Sequence, residues 1–390
     1  MNPNPEDTTC HFVSHAHHLN ALKAGRVVEF ASKTLAELHH LEAFQEHEEH
    51  APKLPLDLHH SQIQLGELLG QGTFSDVFQI QSCAVDEIDP RKYVVKVLRE
   101  RMIDDPVLFA TSAAGLATEA AILSLLDHEN IIRIKAWSHR GLDGYSNGMN
   151  DAYFIVLERL DECLSTRITN WKQQTDKLRF AVRNRSAKLN DLLIQRLRVG
   201  REIAGAIAYL HEHRIIHRDI KPTNIGFHDG VVKLLDFDVS RFLPKGSVEG
   251  QVFNLTALTG TRRYMSPENG LHLPYNEKTD VYSFAMVLNE IITMEKAFQK
   301  LTRHEHEVRV FEHGLRPHIP QSCPKDIRLL IQKGWDKHID ARPSMKEIVE
   351  VLEAEVSLLV QKPNGSLPSR RSWFQSVRTP QVLPPTVVVR

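Results

Sequence analysis

Long apolar runs are missing from this chain: the longest, such as Tyr282 to Leu288, fall far short of the ~20 residues that a membrane-spanning helix needs. Cysteine is scarce. Cys10, Cys83, Cys163 and Cys323 lie far apart, with no paired spacing, which excludes a local zinc ribbon and points to a reducing compartment. Neither sign of charge is in excess, because 48 Lys and Arg meet 49 Asp and Glu. No global field therefore draws the protein to nucleic acid or to an anionic membrane. No Lys or Arg precedes Lys23 and no apolar core follows Met1, so a secretory signal is not expected. What is present is an ordinary globular balance, 42% hydrophobic and 25% charged over 390 residues. A soluble cytoplasmic or nuclear protein is expected.

The chain divides into three zones. Residues 1–60 hold 10 of the 22 histidines, beginning with His11, His15, His17 and His18. Here Ala24, Val28, Ala31, Leu35 and Leu38 step by four and three, the stripe of an amphipathic helix within 21–48, and Pro52 and Pro55 stop it. Such a helix packs on the adjoining domain or on a partner. Residues 61–358 form the dense zone. Up to about 158 they read mainly as strands, Tyr93 to Val97 being the clearest, around one helix from Thr111 to Leu126. From about 159 they read as helices, at Leu193–Glu212, Asp280–Thr293, Asp326–Lys337 and Ser344–Val360. Strands first and helices later predicts two subdomains. Residues 359–390 carry basic side chains and five prolines from Gln361 onward but no acid, the composition of a disordered tail. Arg167 to Arg201 adds ten basic residues, either a solvated excursion or a docking surface for an acidic partner.

The chemistry-bearing residues follow in a fixed order. Gly70-Gln71-Gly72 sits between two strand patterns, where glycines let backbone N–H groups approach phosphate. Lys96 ends an apolar strand, and Glu119 on the next helix could hold it by an ion pair against phosphates. His217-Arg218-Asp219-Ile220-Lys221-Pro222-Thr223-Asn224 gathers a carboxylate, an ammonium and an amide, and Asp236-Phe237-Asp238 follows. An Asp for a nucleophile's proton, a Lys near the transferred phosphoryl, and Asn with Asp for magnesium complete a phosphoryl-transfer set.

This order resembles the eukaryotic protein kinase signature set over about 300 residues. The resemblance extends through Ser266-Pro267-Glu268, Asp280 and Arg342. Gly334-Trp335-Asp336 with Asp340-Ala341-Arg342 is similar to the tyrosine-kinase-like group of serine/threonine kinases. It implies an α+β, two-lobed fold, with a small antiparallel sheet and one main helix in the first lobe and a larger, mostly helical second lobe. It implies a serine/threonine protein kinase that uses ATP and Mg2+ and takes protein substrates, with Asp219 as catalytic base beside Lys221, Lys96 and Glu119. Leu69, Gly70, Gly72, Ser75, Val77, Val94, Lys96, Glu158 and Leu160 would hold the nucleotide, Leu157 would be the gatekeeper, and Asn224 and Asp236 would hold the metal. Glu268 would pair with Arg342, and Asp280 would brace the catalytic loop. Lys221 and Gly260-Thr261 are the forms found in Ser/Thr-directed members. Arg218 implies a phosphorylated activation segment, Thr256 first and Ser247 second.

Three positions depart from the pattern. Ser75 replaces the third loop glycine. Asp238 replaces the glycine after Asp236-Phe237, which would restrict the swing of Asp236. Gly226 stands where an apolar side chain usually floors the adenine, which implies a looser base pocket. The alternative reading is a pseudokinase or scaffold that uses the fold to bind partners.

Overall fold

The computed structural model describes residues 21–39, 45, 54–147, 149, 151–178, 184–244, 246 and 250–361. The tail from 362, Ser247, the first four histidines and residues 179–183 of the basic stretch lie outside the described residues.

The first lobe is built on a six-stranded sheet: β1 (Leu56–Leu58), β2 (Ile63–Gln71), β3 (Ser75–Cys83), β4 (Tyr93–Leu98), β5 (Ile134–Ser138) and β6 (Phe154–Glu158). Their order is β1-β5-β6-β4-β3-β2. All pairs are antiparallel except β1 with β5, so the sheet is mixed, not purely antiparallel. It also begins before residue 61, inside the segment read as an extension.

The period-2 alternation of strands sorts the side chains. Val95 and Val97 of β4, with Phe154 and Val156 of β6, pack into one small core. Val94 and Leu98, with Ile155 and Leu157, face the other way into the main core. Lys96 shares the face of Val94 and Leu98, the face covered by α2 (Pro106–Leu125).

Helix α2 starts a turn earlier than its apolar pattern suggests. Asp105 caps it by accepting from the N–H groups of Val107 and Leu108 at 2.9 and 3.1 Å, and Pro106 occupies the first helical position, where no N–H is needed. The helix has no polar face. Most of its residues are buried, including Ala110, Ala113, Ala114, Ala117, Ala120 and Ala121. It is the one described helix long and apolar enough to cross a membrane, and it is instead packed in the core. An all-round apolar helix needs cover on every side. The cover comes from α1 (Ala21–His39) and the helical turn Gly141–Asn147. Ala24, Val27, Ala31 and Leu38 of α1 are buried, while Val28 and Leu35 pack at its edge. The stripe is thus rotated slightly from the sequence reading. Tyr145, fully buried, stacks edge-on against Phe109 of α2 at 5.2 Å.

The second lobe is helical: α3 (Leu164–Leu178), α4 (Arg185–Glu212), α5 (Lys278–Thr293), α6 (Lys325–Gly334) and α7 (Met345–Gln361). Helix α5 is its buried centre, from Thr279 to Ile292. Short strands β7 (Glu162–Cys163), β9 (Ile225–His228) and β10 (Val231–Leu234) lie beneath the interlobe cleft, and β8 (Ile215–Ile216) pairs with β11 (Arg241–Phe242). Two residues of the basic stretch are structural, while Lys172, Lys177, Arg185, Lys188 and Arg198 are exposed. Arg196 is buried and donates to the carbonyls of Leu192 and Ile292. Arg167 pairs with Glu162 and stacks on Phe227.

Candidate active site

Register puts Lys96 where α2 can meet it. Its Nζ lies 2.6 Å from Glu119 Oε2 and 3.1 Å from Asp236 Oδ1. Burial opposes a charge on Lys96, but Glu119 and Asp236 outweigh it and hold the ammonium above the ordinary lysine range. Burial also works against the Asp236 carboxylate, yet Lys96, with Lys221 and His217 behind it, keeps that group below its usual range. Lys96 and Asp236 therefore favour their charged forms, while burial pushes the Glu119 carboxyl upward against the pull of Lys96.

A second cluster forms around Asp219. Lys221 Nζ donates to its Oδ2 at 2.5 Å, Asn224 Nδ2 donates to the same oxygen at 3.1 Å, and the Thr261 N–H donates to Oδ1 at 2.7 Å. Lys221 also reaches Thr261 Oγ1 at 3.0 Å. The approach of the Thr261 segment depends on Gly260. Its φ is +92°, and a Cβ there would lie 2.3 Å from the Arg218 carbonyl oxygen. Only glycine combines that backbone with that contact.

The loop carrying Asp219 is anchored from below. Asp280, in the first turn of α5, accepts from the N–H groups of His217 and Arg218, both at 2.8 Å, and is fully buried. Arg218 adopts left-handed backbone, φ +69°, a strained state that such anchoring maintains; Asp236 is left-handed as well, φ +67°. Farther out, Arg342 forms a two-point bond to Glu268 at 2.6 and 2.9 Å, with both residues buried.

Between the lobes lies a cleft of about 830 Å³. Leu69, Gly70, Gly72, Ser75, Val77, Val94, Lys96, Glu158 and Leu160 all line it, as do Glu119, Leu157, Lys221, Asn224 and Asp236. Lys96 with its two carboxylates therefore shares one opening with Lys221 and Asn224, the side chains that hold Asp219. Gly72 closes the β2–β3 turn by donating to the Ser75 carbonyl at 2.7 Å. The Glu158 side chain turns aside to Lys233 Nζ at 2.9 Å, so only its main chain serves the cleft.

Two of the three departures are compensated. A Cβ at Gly226 would lie 2.5 Å from Leu160 Cδ1. The Leu160 side chain thus fills the space that the missing side chain leaves, and the expected looser pocket is corrected. Asp238 rests against α2 where residue 115 is glycine: a Cβ at Gly115 would stand 3.3 Å from Asp238 Cβ. Burial and the neighbouring Asp236 raise the Asp238 carboxyl to about 7. Neither Gly115 nor Leu160 in its floor role was legible as functional, since each acts only on a residue distant in sequence.

The match to known proteins rests on the same residues. A family model described as protein kinase domain covers residues 63–352. The chain belongs to the protein kinase family. It is 38% identical to the serine/threonine-protein kinase STY17 of Arabidopsis thaliana over 157 residues, 40% of this chain and 26% of that protein. It is 28% identical to the dual specificity protein kinase shkC of Dictyostelium discoideum over 339 residues, 85% and 58% of the two chains. It is 29% identical to the serine/threonine-protein kinase Nek11 of Homo sapiens over 288 residues, 74% and 39%. The kinase described here spans between a quarter and three fifths of these relatives. Helix α1 and strand β1 lie outside the family match.

Proposed function

We propose that this kinase transfers the γ-phosphoryl group of ATP to serine or threonine hydroxyls of proteins, with Asp219 orienting the hydroxyl and receiving its proton. The observation that carries this is the closure of both clusters at once: Lys96 paired with Glu119, and Asp219 held by Lys221, Asn224 and Thr261. Lys96 and Lys221 are placed to balance phosphate charge during transfer. Glu158 and Leu160 offer main-chain groups to the base, with Val77, Val94 and Leu160 as its apolar walls.

The donor set fits magnesium. Asp236 gives one oxygen to Lys96 and retains the other, while Asn224 spends its amide nitrogen on Asp219 and retains its oxygen. These are two hard oxygen donors, the number such a site supplies when phosphates and water complete the shell. When bound, Mg2+ neutralises charge on the phosphates. The serine/threonine reading is supported by the Lys221–Thr261 contact, which narrows the space beside Asp219.

Phosphorylation at Thr256 is part of this reading. Arg218 makes no carboxylate ion pair among the described residues, and its Nη1 donates to Tyr275 Oη at 3.2 Å. That hydroxyl donates to the Thr256 carbonyl at 2.8 Å. Arg218, Arg241, Thr256 and Thr259 line one hollow of about 520 Å³ under α1 and α2. A phosphate there meets two guanidiniums.

The test is phosphate transfer from labelled ATP with magnesium to serine, threonine and tyrosine peptides, alongside Asp219→Asn. Transfer to serine or threonine that the variant loses supports the reading. Equal signal from both proteins defeats catalysis by Asp219, and a preference for tyrosine defeats the acceptor class.

A further inference from the structure

Beside the catalytic loop, on the side away from the sheet, lies a second hollow of about 430 Å³. It shares Lys221 and Thr223 with the nucleotide cleft and also reaches Thr261. Lys221 and Thr261 both hold the Asp219 carboxylate, so a peptide presenting its hydroxyl to Asp219 passes a neighbouring side chain into this space.

The lining is strongly basic. Lys172 comes from α3, Arg263 from the segment after Gly260, and Lys296 from the turn after α5, with Lys221 at the inner edge. Lys221 is paired with Asp219, and the Arg263 guanidinium donates to the Ala297 carbonyl and forms no ion pair among the described residues. Lys172 and Lys296 are exposed and form no ion pair among the described residues. The wall contains one carboxylate, Glu290. It accepts from Tyr264 Oη at 2.8 Å and is buried. Burial lifts its carboxyl above the ordinary range, against that hydrogen bond and the nearby Lys296 and Arg263. An incoming guanidinium would meet three cations and one engaged acid. An incoming anion meets three cations converging from three elements, two of which, Arg263 and Lys296, lie near the buried Glu290.

We infer that this hollow is a substrate subsite for an anionic side chain, a carboxylate or a phosphoryl group, close to the acceptor hydroxyl. The inference rests on the phosphotransfer reading above and adds the class of protein substrate: acidic or already phosphorylated segments. Each exposed pair contributes modestly, and three together amount to about tenfold in kcat/KM. Solvated charges are screened within ~3 Å at 1 M salt, so the preference is salt-sensitive.

The experiment uses the full chain and serine/threonine peptides identical except at one position, scanned on both sides of the acceptor, with Asp, phosphoserine, Ala or Arg there. At one position, the Asp or phosphoserine peptide is expected to exceed its Ala counterpart about tenfold in kcat/KM, with Arg below Ala. The larger of the two anionic effects identifies the natural source of the charge. The Asp-to-Ala ratio should fall toward one in ~1 M salt and in Lys172→Ala/Lys296→Ala. A ratio cancels any general loss of activity in that variant. Equal rates for all peptides, or Arg as the favoured residue through Glu290, overturn the subsite and leave the kinase reading intact. Absence of transfer to every peptide, together with absence of autophosphorylation, overturns both.

Discussion

Helix α1 lies outside the family match, yet it covers the outer face of the helix that carries Glu119. Val27 and Leu38 are its two large buried side chains, at 1% and 6% exposure. Trimming both in Val27→Ala/Leu38→Ala removes two methyl-sized groups from the first and most of an isobutyl group from the second. At ~0.8 kcal/mol per buried CH2 and at least ~2 for Leu→Ala, the loss is about 4 kcal/mol. Docking of α1 should therefore weaken by several hundredfold, since about 1.4 kcal/mol is a factor of ten. Hydrogen exchange reads this directly. Amides of 21–39 are expected to lose protection while those of α5, in the other lobe, keep theirs. Turnover should fall as well, because α2 loses the cover on its apolar face and the Lys96–Glu119 pair loosens. Unchanged exchange in 21–39 would refute the packing argument. Freed α1 amides with full turnover would refute its link to Glu119.

Three further outcomes can be checked. Arg342→Ala leaves the Glu268 carboxylate buried without its two-point partner, so denaturant unfolding should show a loss of about 3–5 kcal/mol; a loss under about 1 kcal/mol would mean that the pair is not buried in solution. His306 sits between Phe298 and Phe311 with neither ring nitrogen hydrogen-bonded, and burial, with Arg262 and Arg263 nearby, lowers it to about 4. Because the folded value lies below the ordinary ~6.5, its stabilising contribution is complete above ~6.5 and is lost as pH falls toward about 4; His306→Phe should flatten the stability profile across that window, and an unaltered slope would exclude His306 as its source. Asp238→Gly is expected to keep or raise activity, whereas Gly115→Ala should lower it in the native background and be harmless when combined with Asp238→Gly (the added Cβ then has nothing to crowd). Equal effects of Gly115→Ala in both backgrounds would show that the two positions are uncoupled.

The candidate site residues were readable because phosphoryl transfer demands particular groups, and those groups cluster along the chain. Asp219, Lys221 and Asn224 fall within one loop, and a lysine in an apolar strand calls for a carboxylate on the next helix. Strand alternation around Val95 likewise announced a two-sided sheet. Contacts between distant segments were not readable. The partner of the α1 stripe could not be named, because apolar side chains specify burial and not what buries them. The first turn of α2 was missed because its signal is the Asp105 cap and Pro106, not periodicity. Gly226 suggested a void, since the sequence does not show that Leu160 leans into it. Gly115 carried no signal at all; its use appears only when Asp238 lies across from it.

Leu160 belongs to the connector between the lobes, and this has a bearing on inhibitor selectivity. Elsewhere in such a cleft, the residue beneath an aromatic inhibitor would be fixed to the lower lobe. Here that platform is borne by the connector itself, next to the main-chain groups an inhibitor would grip. Grip and platform are thus parts of one short segment. A compound shaped to Leu160 would rest on that segment, while one relying on a β-strand floor would find only glycine at 226.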